Sequence, residues 1–264
     1  MVPTLKSEFR KLLTVRSTYG WLLLALVIVG IYSIYGMGFN DASNLLNSKA
    51  SGPAASLFLA GTITQMASFI SVFGGIIALL LITHEYRHNT ITYTLTASNS
   101  RTKVLASKII TVFCFTFVYS VVFTILGLGM IFLGLALSHN VLPHQDINYA
   151  TYIAKSLFYA EGFALVALLF GFLIRNQVGA FAALFIIPNT AESLLSLLLK
   201  SNSVYMPFMA VQQVIQAPVI DSAHPAHQNT TGYLSAPKGA LVFLVYLFAA
   251  WLVAWYLFLR RDAA

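Results

Sequence analysis

Long apolar runs alternate with short polar segments along this chain. Residues 18–39 carry no charge and supply about the twenty residues that a helix needs to cross a hydrocarbon core of roughly 30 Å. Runs at 56–83, 104–137, 152–174, 178–199 and 239–259 are also long enough, which predicts an all-α polytopic membrane protein with six transmembrane helices in a single domain over 1–264. The 56–83 run exceeds the required length, so tilt or an extra turn outside the bilayer is expected of it. Arg175, Asn176 and Gln177 alone separate the fourth run from the fifth, so the chain must turn back tightly there. Between 200 and 238, Pro207, Pro218, Pro225 and Pro237 divide apolar patches too short to cross, a pattern that predicts interfacial or re-entrant helices before the sixth span.

Ahead of the first run, residues 3–17 set Leu5, Phe9, Leu12 and Leu13 at helical spacing, with Lys6, Glu8, Arg10 and Lys11 on other faces and Arg16 near the end. That arrangement predicts an amphipathic helix lying in the membrane interface; the alternative is a basic juxtamembrane tail. A signal peptide has a similar basic start, but no small-x-small cleavage site follows, so the first run is expected to be retained.

Composition agrees with the pattern, since 58% of residues are hydrophobic and only 9% charged. A net charge of +7 would suggest nucleic acid if the basic residues formed one face. They lie instead in the short segments between runs, where they report topology. Lys6, Arg10, Lys11, Arg16, Arg87, Arg101, Lys103, Lys108, Arg175, Arg260 and Arg261 fall on the side of the termini, and Lys49, Lys155, Lys200 and Lys238 on the other. This asymmetry predicts that both termini and residues 84–103 are cytoplasmic and that residues 200–238 are extracellular. Cys114, alone and inside an apolar run, is expected to be a buried inert thiol.

Little in the sequence points to catalysis. His84-Glu85-x-x-His88 matches H-E-x-x-H, in which histidines one turn apart bind zinc and the glutamate activates water. Against it stand the adjacent cation Arg87, the polar Thr90 and the lack of an obvious third ligand downstream. His224 and His227 have no Cys or carboxylate cluster beside them and are assigned no role. No G-x-x-x-x-G-K-[ST] occurs, so these 264 residues hold no P-loop. Glu161 falls near mid-bilayer in the fourth run, where an ionisable side chain either lines a pathway or fixes helix packing. In the fifth, Pro188 and Asn189 precede Glu192, and the missing Pro188 N–H predicts a bend that could line a pathway. Small residues four apart (Ala160 and Ala164, Ala167 and Gly171, Gly179 and Ala183, Ala250 and Ala254) would permit close helix approach.

Two stretches and the layout together carry a family resemblance. SEFRKLLTVRST, Ser7 to Thr18, is similar to the amphipathic connecting helix that precedes the first span of ABC-2 type permeases, the membrane subunits of ABC exporters. HEYRHNTITYTLTASNSRTKVLASK, His84 to Lys108, resembles that family's segment E-[YR]-R-x-G-T-[IL] followed by a T-L run, a basic turn and A-x-K. Asn89 stands where glycine is usual and Asn99 where proline is common, and both tolerate turn conformations.

The resemblance implies a permease of the bacterial plasma membrane that pairs with a second copy or a homologous permease chain. It would dock two ABC ATP-binding subunits through a coupling segment over 84–103, with Glu85, Tyr86, Arg87, Thr90, Ile91 and Leu95 as contacts and a short helix over Glu85 to Leu95. ATP and Mg would be bound by the partner, with no cofactor, metal or catalysis in this chain and no role for nucleic acid. A zinc metalloprotease acting within the membrane, or a membrane scaffold without transport, are the alternatives.

Overall fold

A computed structural model describes residues 2–39, 52–88, 90–93, 100–139, 148–216 and 234–260. The chain opens with α1, Val2–Thr14, and Val15 leaves the helical region (φ −77°, ψ 119°) before α2, Arg16–Gly38. Three long helices follow: α3, Gly52–Arg87; α4, Arg101–Leu137; and α5, Tyr149–Ile174. The turn after α5 is made by Arg175 in the left-handed region (φ 56°) and by the Asn176 side chain, which accepts from the Gly179 N–H. Next come α6, Gln177–Ile186; a π-helical turn, Ile187–Ala191; α7, Glu192–Leu199; a 3₁₀ stretch, Lys200–Tyr205; α8, Pro207–Ile215; and α9, Ala236–Arg260.

Among the described residues, six helical stretches are long and apolar enough to cross a membrane: α2, α3 from Phe58, α4, α5, the composite Gln177–Tyr205, and α9. The protein is an all-α, multi-pass membrane protein. The centre of the bundle is α3, which packs along α5 on one side and against α2 and α4 on the other. One core joins α3, α5 and α9 through Ile82, Phe163, Phe172, Phe243 and Phe258, and a second joins α2, α3 and α4 through Val29, Met66, Phe73 and Ile131. Where α2 crosses α4, a Cβ added at Gly38 would stand 2.6 Å from the Gly134 carbonyl oxygen, and one added at Gly134 would stand 2.6 Å from that of Ile34. Only glycines permit so close a backbone approach.

One feature differs from the sequence reading, and two others give its expectations a definite form. The fifth span passes Pro188 without a break in its helical path: Pro188 cannot donate to the helical ladder, and a π turn at Ile187–Ala191 accommodates the gap. Cys114 is exposed rather than buried, on the same outer side of α4 as Phe113, Phe117 and Val118. A lipid-facing and a core-facing residue are equally apolar, so an apolar run alone does not separate them. Of the 200–238 segment, α8 packs into the bundle against α9 and α5, with Phe208, Val211 and Ile215 buried. Leu95, Asn99, His224 and His227 lie outside the described residues.

Candidate functional site

Polar residues of three helices converge where α1, the end of α3 and the start of α4 meet. Glu8 and Lys11, three apart on α1, share a face. That face is turned into the protein: Glu8 and Leu12 are buried, whereas Leu13 is 53% exposed. This corrects the expectation of Glu8 and Lys11 on polar faces away from the packed side. The docked stripe is Glu8, Lys11 and Leu12, and α1 packs against α4.

Opposite α1 stand Glu85 of α3 and Lys108 of α4. Lys108 lies about 10 Å into its helix and is wholly inaccessible to solvent. Its Nζ donates to Glu8 Oε2 and to Glu85 Oε1, both at 2.7 Å. The Lys11 Nζ donates to Glu8 Oε1 at 2.7 Å and to Glu85 Oε1 at 2.6 Å. The four groups therefore form a closed square of alternating charge with no net formal charge. Burial alone would push the Glu8 carboxyl up, but the ammonium groups of Lys108 and Lys11 hold it below its ordinary value of 4.5. Burial likewise lowers Lys11, and the hydrogen bonds from its ammonium to Glu8 and Glu85 outweigh that and raise it above 10.5.

The end of α3 is also tied on its other side. The Arg175 guanidinium lies 5.5 Å from the centre of the Tyr86 ring, and Arg87 Nη1 donates to Gln177 Oε1 at 3.3 Å. The first four residues of the expected coupling segment over 84–103 are thus the last turn of α3. Nothing between His84 and Arg87 breaks a helix, and His84 and Arg87 suit its C-terminal end. The helix closes with the Thr90 N–H donating to the Glu85 carbonyl at 2.9 Å. The expected helix over Glu85 to Leu95 is therefore interrupted: α3 ends at Arg87, Thr90 is not helical, and 91–93 are helical again, with Leu95 outside the described residues.

This geometry sorts the expected contact residues. Glu85 and Ile91 are buried against their own chain, whereas Arg87, Thr90 and Tyr93 are exposed, Tyr93 at 75%. It also bears on H-E-x-x-H chemistry, because the Glu85 carboxylate is held by two ammonium groups and is poorly placed to act as a base toward water. Among the described residues, no cluster of three His, Cys, Asp or Glu side chains is arranged to hold a metal ion.

The remaining candidates lie away from this site. Glu161 is buried between α5 and α4, with its Oε2 2.8 Å from the Thr116 hydroxyl. Glu192 is buried and accepts from the N–H groups of Phe208 and Met209 at 3.0 and 2.8 Å, so its carboxylate caps α8. Pro188 is buried, and Asn189 is exposed with its side chain donating to the Phe185 carbonyl. In the α1 region, Leu5 and Phe9 are half-buried, Arg10 is exposed, and Arg16 begins α2.

Sequence reasoning missed the joint roles of Lys108 and Glu8. The available signal was a lysine inside an apolar run, which demands a buried counter-charge. Residues 22–264 match the family model DUF2705, described as a protein of unknown function, a match that takes in Glu85 and Lys108 and begins after Glu8 and Lys11. No curated protein matches the chain.

Proposed function

We propose that this chain, which belongs to the DUF2705 family, is the permease subunit of a bacterial ABC exporter. It would form the export pathway with a second permease chain, and two separate ATP-binding subunits would bind and hydrolyse ATP. The observation that carries this reading is the square of Glu8, Lys11, Glu85 and Lys108. It joins the interfacial helix to the ends of the second and third spans, beside the segment that connects them. A force on exposed Arg87, Thr90 or Tyr93 would pass to three helices through buried charge-assisted hydrogen bonds, which leave little slack. Exposed Tyr93 gives such a partner an aromatic anchor, and Arg87 gives it a charge for orientation. In this reading both termini and residues 84–103 are cytoplasmic, on the positive-inside rule, and the chain has no catalysis of its own.

The test is affinity purification of the tagged chain from its native membrane in a mild detergent. The expected result is co-purification of a P-loop ATPase subunit that is lost, with normal membrane insertion, when Tyr93 is changed to Ala. Purification without any ATP-binding protein, across several detergents, would contradict the proposal.

A further inference from the structure

Near the middle of α5, Glu161 is only 8% exposed. Its Oε2 is 2.8 Å from Thr116 Oγ1 on α4, and its buried Oε1 has no hydrogen-bond partner. Thr116 Oγ1 is also 2.8 Å from the Val112 carbonyl oxygen, one turn earlier on α4. That second contact is the bond a helical threonine commonly makes to the carbonyl four residues back, and it takes the hydroxyl proton.

A threonine hydroxyl has one proton to give. A backbone carbonyl has none, and neither has an ionised carboxylate, so an ionised Glu161 would set two acceptors against a single donor. Both 2.8 Å contacts are satisfied together when Glu161 carries a proton on Oε2 and donates it to Thr116 Oγ1, which in turn donates to Val112.

The surroundings agree with that count. Glu8 and Glu85 are matched by ammonium groups, and Glu192 accepts from two backbone N–H groups. Glu161 has neither kind of support, and an ionised carboxylate in an apolar interior needs one or the other. The contacts that other elements make around it are uncharged. Gly74 of α3 faces Tyr119 and Thr116, Gly75 faces Phe163, Phe243 of α9 lies against Gly162, and Phe208 of α8 lies against Phe163. The neighbouring titratable side chains on α4 and α5 are Tyr119 and Tyr159, whose phenols are not cations in either state.

We propose that Glu161 is a proton-binding site within the membrane, a neutral carboxylic acid that joins α5 to α4 by donating from Oε2 to Thr116. Loss of that proton would leave a carboxylate facing a hydroxyl whose own proton is already committed, so ionisation would weaken the α4–α5 contact. The site is independent of the transport reading.

The experiment treats the purified full-length chain in nanodiscs with dicyclohexylcarbodiimide, a membrane-soluble reagent for protonated carboxyls, at about pH 6, where an ordinary glutamate is almost wholly ionised. The acid adds across the reagent, its proton going to nitrogen and its oxygen to carbon, and an acyl shift from oxygen to nitrogen leaves the whole reagent attached. Peptide mass spectrometry should find Glu161 modified and the ion-paired Glu8 and Glu85 unmodified. In infrared spectra at the same pH, Glu161→Gln should lose a protonated-carboxyl carbonyl band and keep the carboxylate bands. Thr116→Val should retain that carbonyl band at a shifted position, because the acid remains and its acceptor is gone. An unmodified Glu161, loss of carboxylate intensity in Glu161→Gln, or a band unmoved by Thr116→Val would overturn the proposal. If Glu161→Gln fails to fold, labelling of the native chain still decides.

Discussion

Without the Lys108 ammonium, the buried Glu8 carboxylate would keep only Lys11, and Glu85 would lose one of its two cations. Lys108→Met retains the length of the side chain and removes its charge, so it should cost about 3 to 5 kcal/mol, the usual penalty for leaving a buried charge uncompensated. Denaturant unfolding in detergent measures this. Pairing Lys108→Met with Glu8→Gln should recover part of the loss, because fewer unmatched charges remain. At Glu161 the expectation is different. Glu161→Gln keeps an oxygen that can accept from Thr116, so stability should change by about 1 kcal/mol or less. At this scale the sequence was only partly informative. It exposed Lys108 and Glu161 as costly residues in apolar surroundings, yet one of the two partners of Lys108, Glu8, lies a hundred residues away on a helix whose pattern set it off the apolar face.

Among the elements, α1 is the one whose attachment depends on titratable groups. Glu8 has a depressed value, so its contribution is present above 4.5 and is lost as pH falls through the lower folded value. Lys11 has a raised value, so its contribution is present below 10.5 and is lost as pH rises through the higher folded value. The attachment of α1 should therefore be strongest between those limits and weaken on both sides. Hydrogen exchange of α1 amides, compared with those of α5 over the same pH series and corrected for intrinsic rates, should show this; parallel behaviour of the two helices would contradict it. The crossing of α2 and α4 gives a steric counterpart. Gly134→Leu should destabilise the bundle, because the added Cβ would meet backbone atoms of Ile34, which cannot swing aside. The sequence displayed several small-residue pairs but not this one, since Gly38 and Gly134 belong to different helices and no spacing rule links them. Helix existence was legible because apolar length decides it. The end of α3 was not, since a polar last turn and a cytoplasmic loop look alike in composition.

For the whole molecule, six spans set between polar segments were readable from hydropathy, whereas the order of packing around α3 was not, because lipid-facing and buried positions have similar composition. Orientation remains a matter of charge bias. Single cysteines at His88 and Ser201, in a Cys114→Ser background, should give labelling of intact cells at Ser201→Cys and not at His88→Cys with an impermeant thiol reagent; the reverse would invert the topology. In the proposed permease, nucleotide-driven force would reach the helices through the ionic square. An electron paramagnetic resonance distance between spin labels at Leu13→Cys and Tyr256→Cys, both exposed positions, measured in a Cys114→Ser background in complex with the proposed ATP-binding subunits, follows that transmission. Trapping with ATP and vanadate should shift this distance when the square is intact, and Lys108→Met should abolish the shift while the ATP-binding subunits stay bound. An unchanged shift in Lys108→Met, or none in the native complex, would contradict it.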